Sequence, residues 1–155
     1  MTDEYRHRTT VQVRFRDIDA FGHVNNAVFF SYVELARIRY LLDVLQPATR
    51  FDRLPLILAR VELDFRSPIE FGEEVTVETR VDRIGHTSFA MRHRMTSGTE
   101  GRLAGDVQTV LVTYDYATAR PIPVPGDWRS KLGQHEGRDL SGTDASQPAA
   151  AAASS

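Results

Sequence analysis

The amino-acid sequence predicts an α+β domain in which a five-stranded antiparallel sheet wraps around one long central helix. Residues 27–45 (AVFFSYVELARIRYLLDVL) contain no glycine or proline and stop just before Pro47, as a helix of about five turns would. The segments after this helix alternate between apolar and polar residues, which is typical of strands. The connections between these later strands are too short for a crossover helix, so the strands should pair in the antiparallel sense.

The predicted helix is apolar on most of its sides. Its polar positions are only Ser31, Glu34, Arg37, Arg39 and Asp43. A helix at the protein surface would show one apolar stripe, whereas a helix this apolar has to be covered by other structure. The sheet is the only structure in the sequence that can cover it.

Five segments are predicted to be strands. They cover residues 10–16, 55–66, 73–83, 87–96 and 102–116. In the first, Val11, Val13 and Phe15 should share one face. The last four read as a meander, with the SPIEFG turn after residue 66 and a tight turn at Gly85. Folding that hairpin about Gly85 predicts two cross-strand pairs. They are Glu78 with Arg92 and Thr76 with Arg94.

The chain divides into a folded unit over residues 8–132 and a predicted disordered tail over residues 133–155. From His135 onward, Leu140 is the only large apolar residue. A segment that buries so little apolar surface cannot offset the entropy lost on ordering.

Composition excludes several classes of protein. Nineteen Lys and Arg against 21 Asp and Glu give a net charge of −2, which argues against a nucleic-acid partner. The absence of cysteine excludes disulfides, thiol nucleophiles and cysteine-ligated zinc. No apolar run approaches the roughly 20 residues of a membrane span, and the N-terminus lacks the apolar stretch of a signal peptide. We therefore expect a cytoplasmic protein without membrane contact. The five histidines lack metal-site spacing, so no metal is expected.

Residues 17–26 (DIDAFGHVNN) join the first strand to the central helix and are the best candidate for a site. The start of a helix offers unpaired N–H groups and a partial positive charge, which suit a developing oxyanion. Asp19 supplies a carboxylate, His23 a second polar group, and Gly22 a residue that permits a tight turn or close ligand approach. The alternative is simple capping, because Asp and Asn are common before helices.

This region resembles the signature of the hotdog-fold acyl-CoA thioesterases, the 4-hydroxybenzoyl-CoA thioesterase-like family. The matching features are a D-x-D-x-x-G-H-V-N-N block followed by an aromatic-rich helix with E-x-A-R, here residues 34–37. RSPIEFGEEVTVETRV, RIGHTSF and VTYDYATARPIPVP extend the similarity over roughly residues 10–130. The hotdog fold is itself an antiparallel sheet gripping one long helix.

The resemblance implies a role for each residue of the block. Asp19 is the catalytic carboxylate, acting as a nucleophile or as a general base on water. Backbone amides around Asn25 and Asn26 polarise the thioester carbonyl. His23 has a supporting role, since Phe21 stands where the plant-type acyl-carrier-protein thioesterases have an asparagine. Asp17, by contrast, is expected to fix the loop by hydrogen bonding.

The remaining predicted site residues would bind substrate. They are Gly22, Glu34, Arg60, His86, Thr87 and Ser88. For Glu34 the alternative is a salt bridge to a nearby arginine. A rim of arginines is expected for the CoA phosphates. The candidates are Arg60, Arg66, Arg83, Arg92 and Arg94.

The predicted function is hydrolysis of acyl-CoA thioesters to free CoA and a carboxylic acid, without a cofactor apart from the CoA of the substrate. Hotdog proteins place their active sites at dimer interfaces, so we expect a homodimer or a tetramer built from two dimers. The alternative is a hotdog protein that binds acyl-CoA or acyl-carrier protein without turnover. A hotdog dehydratase would need a second His and Asp motif, and we find none.

Overall fold

The computed structural model describes residues 4–141, and the predicted α+β arrangement is confirmed in it. The long helix α1 spans Asn26–Leu45, and a second helix, α2, spans Gly126–Glu136. The strands are β1 (His7–Gln12), β2 (Leu56–Phe65), β3 (Glu74–Ile84), β4 (Ser88–Ser97), β5 (Arg102–Asp115) and the two-residue β6 (Arg120–Pro121). They form one antiparallel sheet in the order β1-β3-β4-β5-β2, with β6 paired to β5. The sheet curls around α1.

Helix α1 begins and ends where its sequence dictates. The side chain of Asn25 accepts a hydrogen bond of 2.8 Å from the Ala27 N–H and caps the first turn. The helix ends at Gln46, which adopts a left-handed conformation (φ 45°) before Pro47. One face of the helix packs into the sheet, but the other side leaves Phe30 43% exposed. A single copy of the chain therefore covers only part of this apolar helix.

The first strand is displaced from its predicted position. β1 starts at His7 and ends at Gln12, and Phe15 lies in a 3₁₀ turn where it is 82% exposed. The prediction that Phe15 shares one face with Val11 and Val13 is wrong, because those two valines are buried. The strand ends early because the Asp17 carboxylate accepts the Arg14 N–H and turns the chain.

The predicted meander is wrong for β2. This strand pairs with β5, with Val61 opposite Thr109, and so lies at the edge of the sheet rather than beside β3. The N–H groups of Arg66 and Ser67 both donate to the Ala104 carbonyl, which fixes the start of the connection from β2 to β3. Alternation in a sequence shows that a segment is a strand, but it does not specify the partner strand.

The β3–β4 hairpin has a register two residues away from the predicted one. Glu78 lies opposite Arg94, and Thr76 lies opposite Thr96. The pairing is irregular at Asp82 and resumes with Arg83 opposite Ala90 and Ile84 opposite Phe89. A β-bulge of this kind adds an unpaired residue, and the sequence pattern did not indicate it.

The C-terminal region is ordered further than predicted. Helix α2 continues to Glu136, Leu132 and Leu140 are buried in the core, and the Ile84 N–H donates to the Leu140 carbonyl (2.8 Å). The prediction of a disordered tail is therefore wrong for residues 133–141, because Leu140 finds a buried site. The rest of the predicted tail, including the alanine run, lies outside the described residues.

The core consists of two apolar clusters with polar residues where they meet. One cluster surrounds the first half of α1 and includes Phe29 and Val77, and the other surrounds its second half and includes Tyr40 and Phe89. Four buried polar residues lie between the two clusters, and they are Arg37 of α1, Thr79 of β3, His93 of β4 and Thr109 of β5. His93 is hydrogen-bonded on both ring nitrogens, to Thr79 and Thr109, each at 3.1 Å. In residues 4–141, no helix is long and apolar enough to cross a membrane.

Candidate active site

The loop before α1 is a tight turn tied to the body of the protein. Ile18 and Val24 form an isolated β-bridge. Within that bridge, the Gly22 N–H donates to the Asp19 carbonyl and the Asp19 N–H donates to the His23 carbonyl, both at 3.0 Å. Gly22 has φ 84°, a conformation that favours glycine. The Val24 N–H is in turn anchored on the Ile69 carbonyl (2.8 Å), so the turn holds Asp19 beside the start of the helix.

Asp17 fixes this loop, as predicted. Its side chain is 2% exposed and accepts hydrogen bonds from the Arg14 N–H (2.9 Å) and the Tyr32 hydroxyl (2.7 Å). Its carbonyl accepts the Asn25 N–H. Burial by itself would raise the pKa of Asp17, but the hydrogen bonds from Arg14 and Tyr32 lower it below its ordinary value.

Asp19 and the tip of α1 stand next to each other. One carboxylate oxygen of Asp19 accepts the Phe21 N–H (2.9 Å), and the other accepts the Asn25 side-chain amide (3.4 Å). The structure narrows the set of possible oxyanion donors, because the Asn25 N–H is taken by Asp17 and the Ala27 N–H by the Asn25 side chain. The Asn26 N–H has no acceptor among residues 4–141. It is a donor at the helix tip that remains available to a ligand.

An open cavity of about 440 Å³ lies against this helix tip. It is lined by Asp19, Phe21, His23, Val24, Asn25, Asn26, Phe29, Phe65, Arg66, Ser67 and Pro68. All four predicted catalytic residues therefore face one space, and Gly22 forms the turn beside it. The volume is within the usual range of small-molecule sites, about 300–1,000 Å³.

The floor of the cavity is aromatic. The rings of Phe29 and Phe65 meet edge to face with their centroids 5.1 Å apart. Sequence reasoning did not assign these two residues, nor Ser67 and Pro68, to the site. The segment RSPIEFGEEVTVETRV, which contains Pro68, entered the sequence analysis only through its resemblance to the family. Its first three residues line the cavity.

Several predicted substrate-binding residues lie elsewhere in the chain. Arg60, on the edge strand, is paired with Glu62 (2.6 Å), and Glu34 lines a different groove. His86, Thr87 and Ser88 form the β3–β4 turn, where Val124 and Thr113 donate to the carbonyls of His86 and Thr87. Within one copy of the chain, none of these five residues lines the cavity. Of the arginines proposed to bind phosphate, only Arg66 does.

Within residues 4–141, no group of three or more His, Asp or Glu side chains is placed to hold a metal ion. His23 lines the cavity without a side-chain hydrogen bond to any residue in that range. Its ring nitrogens are therefore available to water or substrate.

Three comparisons with known proteins agree on one family. The thioesterase-like superfamily matches residues 13–132. The long-chain acyl-CoA thioesterase FadM of Escherichia coli is 24% identical over 132 residues, which cover 82% of this chain and 97% of that protein. A Thermus thermophilus thioesterase, solved in complex with coenzyme A and Zn, is 40% identical with a TM-score of 0.80 and covers 90% of this chain and 100% of its own. A predicted thioesterase from Bacillus stearothermophilus is 29% identical with a TM-score of 0.77, over 83% and 95% of the two chains.

Proposed function

This chain belongs to the thioesterase-like superfamily, and from that premise we propose that it hydrolyses acyl-CoA thioesters to free CoA and a carboxylic acid. One observation carries the assignment to this site. Asp19 and Asn26, whose N–H is unengaged at the positive end of a 20-residue helix, line the same open cavity. A carboxylate together with an oxyanion donor meets the needs of thioester cleavage without a metal.

Two reaction routes fit this arrangement. As a general base, Asp19 takes a proton from water while the oxygen adds to the thioester carbon. As a nucleophile, Asp19 adds to that carbon itself, and water then hydrolyses the mixed anhydride. In both routes the C–S bond breaks and the CoA thiolate leaves and takes up a proton. The oxyanion forms against the Asn26 N–H, which is a fixed donor of the kind worth about 10²–10³ in rate. A general base adds about 10²–10⁴.

The hydrogen bonds to Asp19 suit this role. The Phe21 N–H and the Asn25 amide hold the carboxylate in place without a neighbouring cation. Each carboxylate oxygen keeps a lone pair for water or substrate. His23, which shares the cavity, is proposed to orient water or the thioester. Arg66 is proposed to contact the CoA phosphates, since its only described partner is the exposed Asp64 carboxylate at 3.6 Å.

We propose that the working enzyme is a homodimer or a dimer of dimers. The outer edge of β2 is unpaired in the described chain, and unpaired edges favour association. Exposed apolar residues lie on this strand, namely Ile57, Leu58 and Phe65, and Phe30 of α1 is exposed as well. In a dimer formed at this edge, Arg60 and residues 86–88 of the second copy would make the substrate contacts that are predicted for them. The cytoplasmic location stays a prediction.

A thiol-release assay over a panel of acyl-CoA substrates tests the proposal. Asp19→Asn removes the negative charge without changing the size of the side chain, and we expect its rate to fall at least about tenfold. Asp127→Asn, on the exposed first turn of α2, is the matched control and should keep wild-type activity. Wild-type turnover by a folded Asp19→Asn variant would remove Asp19 from the mechanism. Acyl-CoA binding without thiol release from any substrate would favour the non-catalytic alternative.

A further inference from the structure

A second groove lies beside the middle of α1, separate from the cavity at the helix tip. Its volume is about 340 Å³, and its walls come from α1, the 3₁₀ turn Phe51–Arg53, the start of β2 and parts of β5 and the following loop. Eight of the twelve lining residues are apolar, and the other four carry polar groups that contribute a comparable share of the surface. The lining consists of Glu34, Arg37, Ile38, Leu41, Phe51, Asp52, Leu54, Leu56, Ile57, Leu58, Leu111 and Tyr116.

Arg37 is an unusual residue to find in this wall. It is only 8% exposed, and its guanidinium makes no hydrogen bond to any other residue of the described chain. Its sole ion-pair contact is with the Glu34 carboxylate at 3.9 Å, beyond hydrogen-bond distance, and that side chain is 63% exposed. A guanidinium carries five N–H donors. None of the Arg37 nitrogens is among the buried side-chain atoms that lack a partner in residues 4–141, so water or a ligand in the groove can reach the guanidinium.

The surroundings of Arg37 supply no counter-ion closer than Glu34. On the core side, His93 is held neutral, because burial and the nearby Arg37 lower its pKa to about 3. In the groove, Asp52 is held by the Arg50 guanidinium with hydrogen bonds of 3.0 and 3.1 Å. Glu34 is left as the only nearby carboxylate, and it extends mostly into solvent. The groove is therefore lined by both apolar and polar residues, and the one cation in its wall has only a long ion pair with Glu34.

We propose that this groove receives the far end of the acyl chain and that Arg37 pairs there with a carboxylate, so that the enzyme accepts ω-carboxyacyl-CoA thioesters. This inference rests on the proposed function. A guanidinium fork matches a carboxylate with two parallel hydrogen bonds, and the apolar residues of the walls suit the methylene chain between the two ends.

The placement along the helix is consistent with one extended substrate. Asn26 and Arg37 are 11 residues apart on α1, which is about 16 Å at 1.5 Å per residue. The carbonyl at the helix tip and the carboxylate at Arg37 would thus be joined by a long chain. The groove also includes the start of β2, the edge strand, so a second copy at that edge would close it from solvent.

The test compares pairs of substrates that differ only in the terminal group. Dodecanoyl-, tetradecanoyl- and hexadecanoyl-CoA are each assayed beside the mono-CoA thioester of the matching dicarboxylic acid, and kcat/KM is measured for both. For the best chain length we expect the wild type to use the ω-carboxylated substrate at least as well as the methyl-terminated one. Arg37→Met should lower the ratio of the two kcat/KM values by about 10- to 100-fold, the range for hydrogen bonds to a charged group. Arg37→Lys should keep part of the ratio, since it retains charge without the fork.

Controls separate this proposal from a structural role and from the proposed function. Arg39→Met, exposed on the same helix, should leave the ratio unchanged. If Arg37→Met does not fold, Arg37→Lys and inhibition of the wild type by free dicarboxylic against monocarboxylic acids give the same comparison.

The proposal is overturned if the wild type rejects every ω-carboxylated chain, or if the ratio does not change in folded Arg37 variants. A ratio that does not change while the dimer dissociates would assign Arg37 to the subunit interface instead. Failure to hydrolyse either member of every pair would overturn the proposed function itself.

Discussion

Tyr32→Phe is the substitution that best isolates how the catalytic loop is held. The hydroxyl of Tyr32 donates to the Asp17 carboxylate at 2.7 Å, and both side chains are buried. The substitution removes this one bond and leaves the aromatic ring in place, so packing in the core is preserved. The lost hydrogen bond is one of those that hold Asp17, and Asp17 fixes the turn that carries Asp19.

The expected magnitude follows from the charge of the acceptor. A hydrogen bond to a charged group contributes about 1.5–3 kcal/mol, so the folding equilibrium constant should fall about 10- to 150-fold. The effect should depend on pH. The native pKa of Asp17 lies below its ordinary value of 3.8, so the ionised form stabilises the protein above that pH and the stabilisation is lost as the pH falls through the native pKa. Without the Tyr32 hydroxyl the native pKa rises, and the difference between variant and wild type should shrink in acid.

Urea unfolding followed by tryptophan fluorescence measures this directly. Trp128 is the single tryptophan and is buried in α2. Protein concentration is held constant, because association shifts apparent stability. Tyr114→Phe is the matched control, since no residue in 4–141 accepts a hydrogen bond from its hydroxyl, and it should change stability by less than about 0.5 kcal/mol.

The reasoning is refuted by either of two results. The first is a neutral-pH loss for Tyr32→Phe no larger than that of Tyr114→Phe. The second is a loss of the same size at neutral pH and well below pH 3.8, because it would show that the bond does not act through the charge of Asp17.

Two further predictions concern the core. His93 has a native pKa of about 3 against an ordinary value of 6.5, so the unfolded state binds the extra proton between these values and stability should fall as the pH drops below 6.5. His93→Gln should flatten that slope in urea titrations at a series of pH values, and an unchanged slope would assign it to other groups. Leu140→Ala should cost about 2–5 kcal/mol, because Leu140 is buried against α2 and β3. A loss below about 0.5 kcal/mol, the size usual for surface positions, would show that Leu140 is not packed in the core and would support the predicted disordered tail for residues 133–141.

The sequence predicted the features that depend on neighbouring residues. Helix α1 was placed within one residue of its observed start, because its apolar content, its Asn cap and Pro47 are all local signals. The bounds of β3 and β4 were also predicted to within one residue, since buried residues such as Val77 and Met95 follow a period of two. The catalytic residues could be predicted for the same reason, because they are close together in the chain. They are Asp19, His23, Asn25 and Asn26, and all four line one cavity.

The tertiary structure decided what depends on distant residues. The position of β2 beside β5, the bulge at Asp82 and the burial of Leu140 each arise from contacts across many residues of chain, and no local pattern encodes them. The same is true of function. Five residues proposed to bind substrate lie away from the cavity, and Arg37 could be recognised as a cation without a close partner only once its surroundings were known. Local sequence fixes backbone conformation and side-chain direction, whereas the environment of a charge is set by every element that packs around it.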